Sequence, residues 1–275
     1  MKKKIDLKNK LVSIIVVNYN NSKFINQCIN SLCNQSYKDI EIIFVDNQSL
    51  DDSVIKIKLF KNIILVKTKR KTNQGSYNQF NSYYRGFLKS SGKIIFFLDS
   101  DDIFKKDKVK KIVNKFDNNQ NYKVLFDLPI YLKGRQKKYI KFKHRNFSFS
   151  NWPRFSPQSC ISIRRNFAKE IFNKVCIKKF PDIWFDFRIA IYSFLKFSSL
   201  EFVDDYLTYY RISKNSASSK FSKYNINWWK RRAQAFDCYD YLCKKRNKLK
   251  KYTLDRLVTK FINFFLKLLC KKKIF

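Results

Sequence analysis

An acidic run in the first half of the chain carries the clearest chemistry. Asp99, Ser100, Asp101 and Asp102 come directly after the apolar run 94–98. Carboxylates this close repel one another, and burial at the end of a strand would raise that cost, so a cation would stabilise them. Their hard oxygens suit Mg²⁺ or Mn²⁺, which complete their coordination with water and substrate phosphates. The run therefore predicts a divalent-metal site that could neutralise a leaving diphosphate, although it could also cap the following helix.

The segments around this run alternate between strand and helix patterns. Short runs rich in β-branched and aromatic residues predict buried strands at 12–17, 40–45, 63–66 and 94–98. The segments between them carry apolar residues at helical spacing, and together they predict an α/β fold with a mostly parallel sheet flanked by helices. Polar clusters at 18–21, 46–52 and 99–102 follow three of these strands, and we expect them to meet at the carboxyl edge of the sheet, where ligands bind.

The second half has a less regular pattern. It predicts short strands and longer helices, the strands at 122–128, 139–142, 200–203 and 207–210 and the helices at 166–175, 183–197, 228–243 and 254–269.

Composition limits the class of protein. The chain has 275 residues, 45% of them hydrophobic, which is enough for a sizeable core and excludes a disordered chain. Its 59 Lys and Arg against 21 Asp and Glu give a net charge of +38, which would attract phosphates, nucleic acids or anionic lipid. A drift in codon usage towards Lys and Asn explains this excess equally well. The lysines are scattered, so no specific nucleic-acid partner is expected.

Cysteine usage and hydropathy bear on location. Seven cysteines stand at irregular positions without a CxxC pair, which predicts free thiols in a reducing, cytoplasmic setting. The apolar run after the basic residues 1–10 is too short for a secretory signal, and no run reaches the roughly 18 residues of a membrane span.

Two stretches resemble the family 2 glycosyltransferases, which have the GT-A fold. Residues 12–53 (VSIIVVNYNNSKFINQCINSLCNQSYKDIEIIFVDNQSLDDS) resemble the first strand, helix and second strand of that family, and residues 73–102 (NQGSYNQFNSYYRGFLKSSGKIIFFLDSDD) resemble its central block, which ends in a DxD signature. The resemblance covers about residues 11–116 and continues more weakly to about 220. It implies an inverting transfer of a sugar from a nucleotide diphosphate sugar, with a UDP-sugar expected, to a glycan or lipid-linked acceptor in surface polysaccharide or lipopolysaccharide synthesis.

The resemblance implies roles for residues on the nucleobase side. Val17 and Tyr19 would line the base pocket, Asp46 would accept a hydrogen bond from the base, and Asn73 and Gly75 would lie near the donor. Taken singly, Tyr19 could instead pack a loop, and Asp46 and Asn73 could form Asx-turns.

The resemblance also implies the contacts to the sugar, the metal and the phosphates. Asp99 and Ser100 would approach the ribose and the sugar, and Asp101, supported by Asp99, would bind Mn²⁺ or Mg²⁺. A late Tyr-Arg pair ends in Arg211, but Ser213 stands where the family often has His. The donor phosphates would then depend on Arg211 or on the nearby Lys214 or Lys220.

A second departure from the family follows Asp46. Asn47 and Gln48 stand where the family usually has an acidic residue and Gly. This change removes one charge and one flexible position, so the preferred base and sugar are left open.

The general base of an inverting transfer would come from FPDIWFDFRIAIYSF. By resemblance Asp186 is the catalytic carboxylate, with Asp182 as the alternative, while Phe185 replaces the usual Glu. Apolar neighbours would raise the pKa of Asp186 by desolvation. Outside catalysis, Asp186 could cap a helix or pair with Arg188.

The implied organisation has three parts. Residues 11–116 form the half that binds the nucleotide sugar, 117–225 the half with the acceptor and the base, and 226–275 basic amphipathic helices. The last helix, 254–269, has a broad apolar face bordered by lysines. It could pack on the domain, or it could lie on the anionic inner face of the plasma membrane as a peripheral contact.

Two other classes stay open at this point. A metal-dependent nucleotidyltransferase would share the carboxylates and the sheet, but NYNNSKF lacks the Gly-rich loop typical of that class. A basic protein that binds nucleic acid or membrane would act through charge alone.

Overall fold

The structure is a computed structural model that describes residues 11–70, 72–140, 153–175, 178–213, 219–249 and 252–271. The strands are β1 (Val12–Asn18), β2 (Ile40–Asp46), β3 (Ile63–Lys67), β4 (Ile94–Asp99), β5 (Ile103–Phe104), β6 (Val124–Lys133), β7 (Gln136–Tyr139), β8 (Ile161–Arg164) and β9 (Phe202–Arg211). The helices are α1 (Ile25–Cys33), α2 (Ser53–Lys58), α3 (Gly75–Lys89), α4 (Lys108–Asn118), α5 (Arg165–Lys174), α6 (Phe185–Phe197), α7 (Ile226–Lys245) and α8 (Leu254–Lys271).

One sheet runs through the molecule in the order β3-β2-β1-β4-β8-β6-β9-β5, and β7 pairs with β6. The strands β3, β2, β1 and β4 are parallel neighbours, and β6 pairs with β9 in parallel, while β8 joins β4 to β6 by antiparallel pairing. The predicted α/β fold with a flanked sheet and a C-terminal helical segment is confirmed. The predicted strand at 139–142 was misplaced: β7 lies at Gln136–Tyr139 and shares only Tyr139 with it, Ile140 is not in a strand, and residues 141 and 142 lie outside the described residues.

The register of the first strands sets up the functional edge. Val17 lies opposite both Val45 and Asp99, and Asn18 lies opposite Asp46. Because neighbouring parallel strands end level with one another, the polar residues that follow them share one edge of the sheet.

The helices cover the sheet in two layers. One apolar cluster joins the sheet to α3, α5, α6 and α7, and a second joins it to α1 and α4. Gly86 of α3 lies directly on β1, because a Cβ atom there would sit 2.3 Å from Cγ2 of Ile15. This close approach brings the side chains of α3 to the end of β4.

A buried ion pair ties the second half of the sheet together. The Lys108 ammonium lies 2.7 Å from an Asp127 oxygen, and both side chains are fully buried. It also donates to the backbone carbonyl of Ser159 and to the hydroxyl of Thr208, each at 2.6 Å. These contacts join α4, β6 and β9 beneath the acidic run.

Replacing Lys108 with Met is expected to lower the free energy of unfolding by about 3–5 kcal/mol, because it leaves the Asp127 charge buried without its partner. The matched control is Lys111→Met, whose pair with Asp205 has side chains 47% and 43% exposed. That change should cost less than about 1 kcal/mol. Urea denaturation of both variants measures the difference, and equal losses would contradict the role given to the buried pair.

The C-terminal helices form an antiparallel pair. Arg256 of α8 pairs with Asp240 of α7, and Arg232 of α7 pairs with Asp255 of α8. Within the described residues, no helix combines the length and the apolar character needed to cross a membrane.

Candidate functional site

Asn18 connects the three polar clusters at the carboxyl edge of the sheet. Its amide nitrogen donates to Asp46 at 3.0 Å and to the hydroxyl of Ser49 at 2.9 Å. Its amide oxygen accepts a hydrogen bond from the Ser100 hydroxyl at 2.7 Å. The expectation that the ends of β1, β2 and β4 meet at one site is therefore confirmed.

The loops after β1 and β2 hold each other in place. The Asn20 backbone NH donates to Ser49, and the Ser22 NH donates to Asp51 at 2.8 Å. Burial opposes ionisation of Asp51, but hydrogen bonds from Ser53 and Ser22 hold its pKa below the usual value. Gln48 has a φ of 62°, a left-handed conformation that glycine adopts without strain. The glycine that the family usually has here would therefore suit the backbone better than the Gln of this chain.

The predicted nucleobase residues occupy different environments. Tyr19 is 40% exposed, and the Arg70 guanidinium lies 4.0 Å from the centre of its ring. Val17 is buried, and Asn73 is exposed in the loop before α3. Asp46 is buried and accepts hydrogen bonds from Asn18 and from the Ser49 NH. Its carboxylate thus orients the turn, and its contact with a base stays a prediction.

Three carboxylates converge at the end of β4. Asp99, Asp101 and Asp102 each place one oxygen within 4.8 Å of the others. Burial, and then the charge of Asp99, raises the pKa of Asp101 to about 7. Burial also raises the pKa of Asp102, with further contributions from the two neighbouring aspartates. A divalent cation would relieve both the desolvation and the repulsion, so the cluster fits a hard metal ion.

Hydrogen bonds distinguish the three carboxylates. Asp99 accepts from Tyr83 at 2.7 Å and also from Gln79 and Gln158. These bonds oppose the effect of burial, which is the main reason that the pKa of Asp99 is raised.

Asp102 and Asp101 also differ in the hydrogen bonds that their carboxylates accept. Asp102 accepts from the Ser159 hydroxyl at 2.5 Å and from the Arg211 NH at 2.7 Å. Among the described residues, no side chain donates a hydrogen bond to the Asp101 carboxylate. Donors of the protein therefore hold Asp99 and Asp102 in place, whereas the Asp101 carboxylate has no such side-chain donor among the described residues.

The donors around Asp99 were not among the residues predicted from the sequence. Gln79 and Tyr83 stand four residues apart on α3, a spacing that places two side chains on one face of a helix. That spacing was the available signal. Gln158 lies in a short 3-10 helix before β8 and has no comparable local signature.

Ser100 and Arg211 lie at the same edge. The Ser100 side chain is buried, donates to Asn18 and accepts from Asn21, so it braces the turn. Arg211 ends β9, and its Nε donates to the Asp101 backbone carbonyl at 2.9 Å. A cavity of about 390 Å³ lies beside Arg211, and it is lined by Lys23, Phe24, Gln27, Gly134, Arg211, Ile212 and Ser213. Lys23 and Arg211 make this cavity suitable for phosphate groups.

Asp186 lies in the first turn of α6. It is buried, and its Oδ1 accepts from the Phe187 NH at 2.8 Å. Burial raises its pKa to about 7, against the opposing hydrogen bond from Phe187 and the charge of Arg231. The predicted rise in pKa through desolvation is confirmed. Arg188, the alternative partner considered for this carboxylate, donates to the Phe180 carbonyl.

Arg231 of α7 is a buried cation near Asp186. Sequence reasoning missed this residue. Its guanidinium lies 4.0 Å from the Trp184 ring centre and 4.1 Å from the Phe221 ring centre. It donates to the Asp182 carbonyl and to the Ser76 hydroxyl. Burial lowers its pKa to about 10.

Phe185 and Asp182 flank the candidate base. Phe185 stacks on Tyr83 with ring centres 4.4 Å apart, so the position where the family usually has Glu packs against the tyrosine that holds Asp99. The Asp182 carboxylate accepts from Gln234 at 2.8 Å. Lys214, an alternative phosphate contact, lies outside the described residues, and Lys220 is described and exposed.

The sheet topology, with a carboxylate cluster at the carboxyl edge of the parallel strands, is that of the GT-A fold. A profile of the family described as Glycosyl transferase family 2 matches residues 13–172. This match covers more than half of the chain, and the chain belongs to that family.

Relatives agree with this assignment. An uncharacterized glycosyltransferase of Nostoc sp. is 30% identical over 215 residues, which are 73% of this chain and 64% of the relative. The poly(ribitol-phosphate) beta-N-acetylglucosaminyltransferase TarP of Staphylococcus aureus is 25% identical over 219 residues, 78% of this chain and 66% of the relative. An uncharacterized glycosyltransferase of Haemophilus influenzae is 43% identical over 110 residues, which are 38% of this chain and 41% of the relative.

Solved structures share the fold. Residues 1–349 of S. aureus TarS in complex with UDP-GlcNAc superpose with a TM-score of 0.61 at 19% identity, covering 83% of this chain and 66% of that chain. The mannosyltransferase PcManGT of Pyrobaculum calidifontis, in complex with GDP-Man and Mn²⁺, gives a TM-score of 0.56 at 14% identity, covering 88% and 65%. The named ligands belong to those proteins.

Proposed function

We propose that this glycosyltransferase moves a sugar, with inversion, from a nucleotide diphosphate sugar to a glycan or a lipid-linked saccharide in surface polysaccharide or lipopolysaccharide synthesis. A UDP-sugar is the proposed donor. The observation that carries the proposal is the convergence of Asp99, Asp101 and Asp102 at the sheet edge, beside the cavity at Arg211. Family membership favours this activity over a nucleotidyltransferase or a binding protein that acts through charge.

The donor side of the proposal assigns the base to Val17, Tyr19 and Asp46, and the region of the ribose and sugar to Asn73, Ser100 and Asp99. Asp101, supported by Asp99, would hold Mn²⁺ or Mg²⁺, which when bound supplies positive charge to the leaving diphosphate. Arg211 would contact the phosphates from the other side of the cluster. The bond between its Nε and the Asp101 carbonyl already fixes its position relative to the metal ligand.

On the acceptor side, Asp186 is the proposed general base. Its carboxylate would take the proton of the acceptor hydroxyl as that oxygen bonds to the anomeric carbon, and the bond from this carbon to the diphosphate oxygen breaks. A carboxyl group with a pKa of about 7 suits this exchange, because a base works best when its pKa lies near the working pH.

Calorimetric titration with UDP, GDP and dTDP, each with and without Mn²⁺, tests the donor proposal. We expect UDP to bind with Mn²⁺ at least about tenfold more tightly than without it, because a metal held by Asp101 and Asp99 would supply positive charge to the diphosphate. If none of the three nucleotides shows metal-dependent binding, the proposal is wrong. Tighter binding of GDP or dTDP than of UDP would keep the enzyme class and change the donor.

We further propose a cytoplasmic location with peripheral contact on the inner face of the plasma membrane. Five of the described cysteines, including Cys33 on the surface, are free thiols, as expected in a reducing compartment. A lipid-linked acceptor would make membrane contact useful.

A further inference from the structure

Helix α8 packs on the rest of the protein through its polar side. Among the α8 residues whose burial the structure describes (254–269), Arg256, Thr259 and Asn263 are buried, and they lie on one side of the helix. The Asn263 side chain donates to the Trp229 carbonyl at 2.9 Å, and Arg232 of α7 donates to the Thr259 hydroxyl at 3.2 Å. Hydrogen bonds and ion pairs therefore help to fix the rotation of α8 about its own axis.

The opposite side of α8 is apolar and exposed. Eight side chains there are 43% to 65% exposed, namely Leu254, Leu257, Val258, Phe261, Phe264, Phe265, Leu268 and Leu269. A helix on the surface of a soluble domain ordinarily turns such a stripe inward. A continuous apolar surface of this kind marks a site of interaction. We name these eight residues the outer face of α8.

Charge decides which partner suits the outer face. Lys260 and Lys267 of α8 are exposed at its border, and the whole chain carries a net charge of +38. A second copy of the chain would bring the same positive charge against this border and be repelled. Anionic lipid headgroups would instead pair with the lysines while the apolar side chains enter the acyl boundary.

An aromatic cluster adjoins α8. Tyr224, Trp228 and Trp229 are in mutual contact at the start of α7, with ring centres 4.7 Å to 6.3 Å apart. The bond from Asn263 to the Trp229 carbonyl places this cluster against the middle of α8. Tyr224 is 62% exposed. Tryptophan and tyrosine favour the boundary between headgroups and acyl chains, so the cluster suits the same partner.

We propose that the outer face of α8, together with this aromatic cluster, docks on the surface of an anionic lipid bilayer with the helix lying in the plane of the interface. α7 also carries Arg231, which packs on Trp184 beside the candidate base. The docked orientation would therefore bring the acceptor side close to the membrane. That consequence rests on the proposed transferase activity, whereas the docking to the bilayer does not depend on that activity.

Flotation with vesicles tests the docking without measuring transferase activity. The full chain is mixed with phosphatidylcholine vesicles, either pure or with about 30% phosphatidylglycerol. We expect the wild type to float with the anionic vesicles. Its binding to neutral vesicles should be weaker by about tenfold or more. The variant Phe261→Gln/Phe264→Gln/Phe265→Gln should lose about tenfold or more of the binding to anionic vesicles. Failure of the wild type to float would overturn the proposal.

The matched control removes three exposed apolar side chains elsewhere, as Ile55→Gln/Leu59→Gln/Leu88→Gln. Its binding should equal that of the wild type, and equal losses in the two triple variants would overturn the proposal. Circular dichroism checks that each variant is folded. Two further double variants make the same change in net charge. Lys260→Glu/Lys267→Glu changes the border of the outer face and should weaken binding, whereas Lys58→Glu/Lys89→Glu changes lysines elsewhere and should not.

Light scattering on the wild type decides between a bilayer and a second copy as the partner. A monomer that binds anionic vesicles supports the proposal. A dimer that the triple phenylalanine variant converts to monomer, without binding of vesicles by the wild type, would overturn it.

Discussion

Replacing Asp101 with Asn is expected to lower kcat with a UDP-sugar donor by about 100-fold or more, and to remove the effect of Mn²⁺ on the binding of UDP. Asp101 is the carboxylate of its cluster that accepts no hydrogen bond from a side chain among the described residues, so its loss removes the ligand that the protein leaves available. Steady-state kinetics and calorimetry with Mn²⁺ measure both effects.

The pH dependence of Mn²⁺ binding follows from the same residue. Burial and the charge of Asp99 raise the pKa of Asp101 to about 7, and a carboxyl group must lose its proton to bind a metal. Affinity for Mn²⁺ should therefore fall as the pH is lowered through 7, with uptake of metal releasing a proton. Asp52→Asn, at an exposed carboxylate whose side chain caps no helix, is the control and should behave as the wild type. Wild-type Mn²⁺ binding in the Asp101 variant would remove this residue from the metal site.

Asp186→Asn is expected to lower kcat by about 10²–10⁴-fold while the affinity for UDP with Mn²⁺ changes little, because the base acts on the acceptor and not on the donor. In the wild type the rate should rise with pH through about 7, as Asp186 loses its proton, and this acid limb should be absent in the variant. Rate profiles over pH for both proteins give the comparison. Turnover near that of the wild type in the variant would exclude Asp186 as the base.

Stability measurements separate this catalytic effect from unfolding. The pKa of Asp186 is higher in the folded chain, about 7, than the ordinary value of 3.8. Its contribution to stability is therefore fully present below the ordinary value and is lost as the pH rises through 7. Asn carries no charge, so at pH 8 the free energy of unfolding of the Asp186→Asn variant, measured with urea, should equal or exceed that of the wild type. Asp182→Asn, which alters the bond to Gln234, is the companion variant and should retain most turnover.

The first half of the fold follows from local patterns in the sequence. Buried parallel strands have short β-branched runs, and the helices between them have apolar residues at helical spacing, so both are visible without tertiary contacts. The acidic run could be placed at the sheet edge for the same reason, because a residue that directly follows a parallel strand lies at its carboxyl end. The burial of Asp186 was also predictable, since Trp184, Phe185 and Phe187 surround it in the sequence.

What distinguishes the three aspartates depends on contacts between distant segments. Asp99 is held by Tyr83 of α3 and by Gln158 ahead of β8, and Asp102 by Ser159 and by the backbone of Arg211. No spacing in the sequence encodes these pairings. Only the packing of α3 on β1 and the antiparallel pairing of β8 with β4 bring the donors to the cluster.

The C-terminal helix α8 shows most clearly which features follow from local sequence and which depend on tertiary contacts. That α8 is amphipathic follows from local sequence alone, because its apolar residues repeat at the helical period. Whether the apolar face packs on the domain or faces outward depends on contacts with α7, which no local pattern reveals. Arg256 is buried against Asp240, and Asn263 is buried against the start of α7, and these directional polar contacts turn the apolar side of the helix outward.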